Sequence, residues 1–150
     1  MSTILEAINL KKRYGDNEAV KGVSFAIEEG EVFSLLGPNG AGKTTTLSML
    51  SCLLEPSAGD ARIAGYSIRQ ESMAVKRVIG VVPQEIALYE DLSARENLTF
   101  WGRMAGMSGA ALKQRVDEVL AQIGMSDKAN QRVKTYSGGM KRRVNIGAGL

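Results

Sequence analysis

The sequence predicts an α/β fold, and three observations carry that prediction. The apolar run Val32-Phe33-Ser34-Leu35-Leu36 passes directly into Gly37-Pro38-Asn39-Gly40-Ala41-Gly42-Lys43-Thr44-Thr45, which has the G-x-x-x-x-G-K-[ST] spacing of a phosphate-binding loop set between a strand and a helix. Upstream, Val23, Phe25 and Ile27 alternate with Ser24, Ala26 and Glu28, the period of a half-buried strand. Downstream, Leu112, Val116, Val119, Leu120 and Ile123 fall on one stripe of a helix.

Taken in chain order, Ile8 and Leu10 alternate with Asn9 and Lys11 and predict a first strand, joined to the Val23–Ile27 strand through the turn signal Gly15-Asp16-Asn17. These strands form a small antiparallel sheet that leads into the strand of the loop. After the loop, Leu47, Leu50 and Leu54 have helical spacing, Pro56 stops the helix, and Ser57-Ala58-Gly59-Asp60 supplies a turn. Arg62-Ile63-Ala64 returns to strand and Gly65 breaks it. Val78-Ile79-Gly80-Val81-Val82 reads as a strand buried on both faces, ended by Pro83-Gln84.

The character then changes. Ser93 and Glu96 form a capping box that opens a helix through Asn97, Leu98, Phe100 and Trp101 to the region of Gly102 and Gly106, with both aromatics read as packing. The Leu112–Ile123 helix follows, and Gly124 stands where a left-handed cap belongs. Ser137-Gly138-Gly139 opens a last helix that runs through Met140 and Ile146 toward Leu150 without a visible terminator. The strand-rich part with the loop, about residues 1–84, and the helical part, about 85–150, are expected to form separate subdomains of one domain.

Composition narrows the function classes. At 150 residues, 44% hydrophobic and 23% charged, the chain can bury a core of its own. It has no apolar run near the roughly 20 residues of a membrane span, and Met1-Ser2-Thr3-Ile4-Leu5-Glu6 lacks the layout of a signal peptide, so a cytoplasmic location is expected. The single cysteine, Cys52, lies among Leu50, Leu53 and Leu54 and is read as a small buried thiol. The absence of histidine removes imidazole acid–base chemistry and the commonest metal ligand. A net charge of +3 permits anionic partners without requiring them. The basic run Lys141-Arg142-Arg143 has no aromatic stacking platform interleaved; it is read as a solvated or interface-facing surface, and no nucleic acid is expected.

The chemistry of the loop follows from its backbone. A glycine-rich turn entering a helix aims successive N–H groups at one point, which attracts an anion. Gly40 and Gly42 let the chain curl, Lys43 brings a positive charge to phosphate, and the Thr44 hydroxyl can ligate Mg²⁺. Ser137, Gly138 and Gly139 offer a hydroxyl and two unencumbered N–H groups at a second helix start.

In order along the chain, Tyr14, GPNGAGKTT at 37 to 45, Gln84 after an apolar run and YSGGMKRR at 136 to 143 resemble the nucleotide-binding subunit of an ATP-binding cassette (ABC) transporter. The resemblance covers the whole chain. Within that family, YSGGM and PQEIALYEDLSARENL at 83 to 98 are most similar to bacterial exporters of the multidrug or daunorubicin-resistance kind. Tyr136 stands where leucine is usual and Met140 where glutamine is usual, as in those exporters.

The resemblance implies a P-loop ATPase fold with an N-terminal antiparallel β subdomain and a helical signature subdomain. It implies that Tyr14 stacks on adenine, that residues Gly37 to Thr45 hold the phosphates of ATP, and that Thr44 and Gln84 hold Mg²⁺. Ser137, Gly138, Gly139 and Met140 would contact the nucleotide of a second nucleotide-binding subunit in a head-to-tail dimer. Ile86, Leu88 and Tyr89 would face transmembrane permease subunits, with the protein peripheral on the inner face of the membrane. The family pattern goes on, beyond its signature, to an aspartate-ended strand, a water-activating glutamate and a switch histidine. None of these falls within the 150 residues, so an incomplete core sheet is expected, with weak nucleotide binding and no turnover by residues 1–150 alone. A soluble cassette ATPase acting on ribosomes or DNA, and a nucleotide-binding module without hydrolysis, remain as alternatives.

Overall fold

The computed structural model describes residues 2–150, which divide into two compact units with the boundary between Ile79 and Gly80. Each has its own core.

In the first unit, β1 (Thr3–Tyr14), β2 (Asn17–Glu28), β3 (Ala58–Ile63) and β4 (Tyr66–Ser67) form an antiparallel sheet in the order β2-β1-β3-β4. The β1–β2 hairpin closes where Tyr14 pairs with Asn17, with Gly15 at φ 58°, and Ala64 and Gly65, both at positive φ, close the β3–β4 hairpin. Along β2, Val23, Phe25 and Ile27 are half-buried while Ser24 and Ala26 are exposed, as the alternation predicts.

On β1 the expectation fails at Ile8, which is 47% exposed while Ala7 and Leu10 are buried. The pairing with β2 slips between Ala7 and Leu10, and Asn9 sits at φ 48° with its N–H donating to Ser24 Oγ at 2.8 Å. This bulge moves Ile8 off the core face. The same bulge explains Gly59: a Cβ there would lie 2.1 Å from the Asn9 carbonyl oxygen. Gly59 and Asp60 therefore belong to β3 and not to the expected turn.

Helix α1 (Lys43–Leu50) is shorter than the leucine spacing suggests. Cys52 at φ 56° turns the chain, leaving Leu54 outside the helix. The buried face is Thr46, Met49 and Leu50, packed with Leu10, Val20, Ile63, Ile68 and Val75, whereas Leu47 is exposed. Cys52 is half-buried against this core, and burial pushes its thiol above the ordinary range.

Two apolar runs expected as strands form no ladder. Residues 32 to 36 have no pairing partner among the described residues, and Val32 and Leu36 are 94% and 89% exposed. Val78 ends a helix the sequence reading missed, α2 (Ser72–Val78), and Val81 and Val82 are exposed. A strand of a doubly covered sheet exists only beside hydrogen-bonded neighbours, and none of the four strands pairs with either run. The core sheet is incomplete, as expected.

In the second unit, α3 (Ala94–Met104), α4 (Gly109–Gln122) and α5 (Gly138–Gly147) enclose a core of Leu98, Leu112, Val116, Val119, Leu120, Met125, Val133, Tyr136 and Val144. The predicted stripe of α4 is on the inside. Its end is a Schellman turn, with Met125 N–H on Leu120 O at 2.8 Å, Gly124 N–H on Ala121 O at 3.1 Å, and Gly124 at φ 65°. Gly106, at φ 89°, ends α3 the same way. Tyr89, Phe100 and Trp101 pack edge to face. Helix α5 stops at Gly147, earlier than the sequence suggests, where the chain turns with Gly149 N–H on Ile146 O.

The capping box forms as read. Ser93 Oγ accepts from Glu96 N–H at 3.2 Å, and Ser93 N–H donates to Glu96 Oε2 at 2.8 Å. That backbone donor, joined by the Ser93 hydroxyl, holds the Glu96 carboxyl below its usual range. A carboxylate depressed in the folded state stabilises above its unfolded pKa of about 4.3, and the contribution disappears as pH falls through the folded value. Stability should therefore drop below about pH 4, and Glu96→Gln should reduce that drop, measured as the change in urea midpoint between about pH 7 and pH 3.

Candidate functional site

The loop from Gly37 to Thr45 lies in the first unit, where β2 shapes it. Gly42 sits at φ 89° so close to β2 that a Cβ would lie 2.5 Å from the Ala19 carbonyl oxygen. Gly40, at φ 82°, instead has open space on that side. Ala41 N–H closes a turn on Pro38 O at 3.2 Å, and both the N–H and the hydroxyl of buried Thr46 donate to Gly42 O at 2.8 Å. The loop is thus anchored on its β2 side and open on the other.

The open side is built for an anion. Lys43, Thr44 and Thr45 begin α1, so their N–H groups have no intrahelical acceptor, and the first turn carries no acidic residue. The Lys43 ammonium folds back over the loop and donates to the carbonyls of Gly37 at 2.5 Å and Pro38 at 2.7 Å. Gly37, Pro38, Asn39, Gly40, Ala41 and Thr44 are exposed, and Thr45 is half-buried. Beside the loop, Asp16, Asn17, Glu18, Ala19 and Lys21 line an open groove with Gly40 and Ala41. The sequence reading missed these hairpin residues as neighbours of the loop; nothing short of the fold brings them there. Tyr14 is not among them. It stands at the end of β1, 49% exposed, with Lys12 Nζ 5.4 Å from its ring centroid.

Gln84 and the Ser-Gly-Gly segment lie in the second unit. Ser137 caps α5, its Oγ accepting from Met140 N–H at 3.3 Å, which leaves the hydroxyl proton free to donate. Gly138 and Gly139 are exposed with open space around both, and this first turn also lacks an acidic residue. Met140 is half-buried and packs partly on its own core. Tyr136 is buried with its hydroxyl donating to Lys128 O, and burial pushes the phenol up. A tyrosine here therefore fills a core position and ties the preceding loop.

Gln84 is exposed, and its carbonyl accepts from Arg142 Nη1 at 2.6 Å. The basic run is less free than expected, since Lys141 also pairs with Glu90. Ile86 and Tyr89 are exposed, but Leu88 turns inward onto the core of its own unit and is not an open contact surface.

The family model described as ABC transporter matches residues 20–150. The chain is similar to the linearmycin resistance ATP-binding protein LnrL of Bacillus subtilis (52% identity over 147 residues, 98% of this chain and 47% of that protein). It is also similar to the doxorubicin resistance ATP-binding protein DrrA of Mycobacterium tuberculosis (46% identity, 94% of this chain and 43% of that protein). Among solved structures, cbiO1 from Clostridium perfringens, described as part of the ABC transporter complex cbiONQ, superposes with a TM-score of 0.89 at 29% identity, covering 100% of this chain and 62% of that one. The chain spans about half the length of the curated relatives it matches. Among the described residues no helix is long and apolar enough to cross a membrane. With a phosphate loop, a glutamine segment and a Ser-Gly-Gly helix start in the order of that family, the chain belongs to the ABC transporter family.

Proposed function

We propose that this chain is the N-terminal part of an ATP-binding subunit that drives export of a substrate through separate membrane subunits. The observation that carries the reading is the presence of two open, acid-free helix starts in one chain, one behind Gly37–Gly42 and one behind Ser137. One triphosphate needs only the first. The second suits a nucleotide held by another copy, which makes the working unit a head-to-tail dimer with two composite sites. The names of the relatives support export: linearmycin and doxorubicin resistance, and Nod factor export for a protein 44% identical in Paraburkholderia xenovorans.

The residues fit ATP and Mg²⁺. The loop has open space at Gly40, unshared N–H groups at the start of α1, and a lysine held by two carbonyls that solvent also reaches. Lys43 exchanges those carbonyls for phosphate oxygens, gaining charge-assisted hydrogen bonds. Tyr14 offers a ring face to the base. Thr44, and by the resemblance of its motif Gln84, would be the neutral oxygen donors for Mg²⁺, which when bound would neutralise phosphate charge. Ser137 donates its free hydroxyl proton, and Gly138 and Gly139 their N–H groups, to the nucleotide across the dimer.

The test uses the full-length protein assembled with its membrane subunits in inside-out vesicles. Ser137→Arg should abolish ATP-driven transport and steady phosphate release while the isolated subunit still binds ATP with unchanged affinity. Turnover by the variant at the wild-type rate would overturn the composite site.

A further inference from the structure

The stretch from Pro83 to Leu92 has no regular structure, yet it is among the most heavily tied segments of the second unit. On one side stands Asn145 of α5, 2% exposed, whose Oδ1 accepts from Ala87 N–H at 3.0 Å and whose Nδ2 donates to Pro83 O at 3.2 Å. On the same face of α5, Arg142 donates to Gln84 O at 2.6 Å, and Lys141 pairs with Glu90. On the other side stands Asn97 of α3, fully buried, accepting from Tyr89 N–H at 2.8 Å and donating to Tyr89 O at 3.0 Å and Ser93 O at 2.9 Å. Backbone bonds from Val133 to Leu92 and from Lys134 to Glu90 complete the seam.

Two buried side-chain amides are thus committed to one loop. A buried amide without partners is costly, so each holds the loop to the conformation that satisfies it. Asn145 and Arg142 do something Asn97 does not: they join the loop to the helix that Ser137 begins. Asn145 lies eight residues beyond Ser137, about 12 Å along a helix, and nothing between them interrupts α5.

We propose that Arg142 and Asn145 are positioning residues that lock residues 83–87 to α5, so that the main chain at Gln84 and the open helix start at Ser137 move as one body. A membrane partner pressing on Ile86 or Tyr89 then moves the Ser137 end directly. The coupling element is this pair of side chains and not the apolar core, because residues 83–87 pack little apolar surface of their own: Ile86 is exposed, and the apolar contacts of the loop, Leu88 on the core and Tyr89 on Phe100, lie beyond that stretch. The inference rests on the function proposed above, for both the partner and the nucleotide.

The test is the ratio of ATP turnover by the full-length subunit with its membrane partner to turnover without it. Asn145→Ala and Arg142→Met should each lower that ratio about fivefold or more, the lower end of measured coupling between sites, with the KM for ATP and the partner-free rate near wild type. Arg142→Lys, which keeps a donor for Gln84 O, should retain most of the ratio. Exchange of the Ala87 amide should accelerate in Asn145→Ala, which reports the broken tie itself. Arg142 is exposed, so its variants keep the test open should Asn145→Ala fold poorly. A ratio unchanged in the variants, or a loss matched by an equal loss without partner, overturns the positioning role alone. A wild-type subunit that its partner does not stimulate overturns the functional reading and this inference with it.

Discussion

Lys43→Ala in the full-length protein should weaken ATP binding by about ten- to hundredfold and abolish turnover, while the nucleotide-free protein unfolds at nearly the wild-type temperature. The magnitude follows from the partners. Hydrogen bonds to a charged group contribute about 1.5–3 kcal/mol, and each 1.4 kcal/mol is tenfold in affinity. In the nucleotide-free chain the ammonium sits on the carbonyls of Gly37 and Pro38, both exposed residues, so water replaces it at little cost to the fold. The measurement is a pair of thermal melts with and without ATP-Mg²⁺. The wild type should rise on adding nucleotide, and the variant should rise much less at the same concentration. An equal rise in both would remove Lys43 from the phosphate site.

Gly42→Ala should have the largest effect on folding, about 2–5 kcal/mol, against about 1–2 kcal/mol for Gly40→Ala. Both glycines have a left-handed φ, 89° and 82°, so both variants carry the conformational cost. Only Gly42 adds a collision, with the Ala19 carbonyl oxygen at 2.5 Å and Val20 Cγ2 at 3.0 Å; at Gly40 nothing lies within 4 Å. Val20 belongs to the core with Leu10 and Met49, so relief requires β2 to move away from α1. Urea midpoints of the two variants, without nucleotide, give the comparison. Equal destabilisation would mean that strain at φ dominates and the approach to β2 does not matter.

Much of the local structure was legible before any coordinates. The Ser93–Glu96 box, the Gly124 cap, the Gly15 turn and the loop at Gly37–Thr45 each depend on hydrogen bonds and φ signs set within a few residues. The alternation on β2 survived because the extra residue of the bulge lies on β1: the pairing slips between Phe25 and Val23, yet Val23, Phe25 and Ile27 stay on one side of β2. On β1 it did not survive, because one bulge at Asn9, locked against Ser24 and Gly59, turns Ile8 outward. The shortness of α1 was illegible for a similar reason: Leu54 fits the helical period, but Cys52 adopts a left-handed turn that the sequence does not advertise.

The site divides along the same line. By itself the sequence determined the phosphate loop, Lys43 and Thr44, the Ser137 helix start, and membership of the family that orders them, since each motif is a contiguous stretch whose chemistry is carried by its own backbone. Only the tertiary structure decided that residues 32 to 36 and 79 to 82 stand without a ladder, because a strand is defined by a neighbour distant in sequence. Only it decided that Gly42 presses on Ala19, or that Asn145 and Arg142 reach back some sixty residues to hold Pro83, Gln84 and Ala87. The basic run read from sequence as a surface became, in the fold, one side of a seam: Lys141 and Arg142 found carboxylate and carbonyl partners that only folding brings within hydrogen-bond reach.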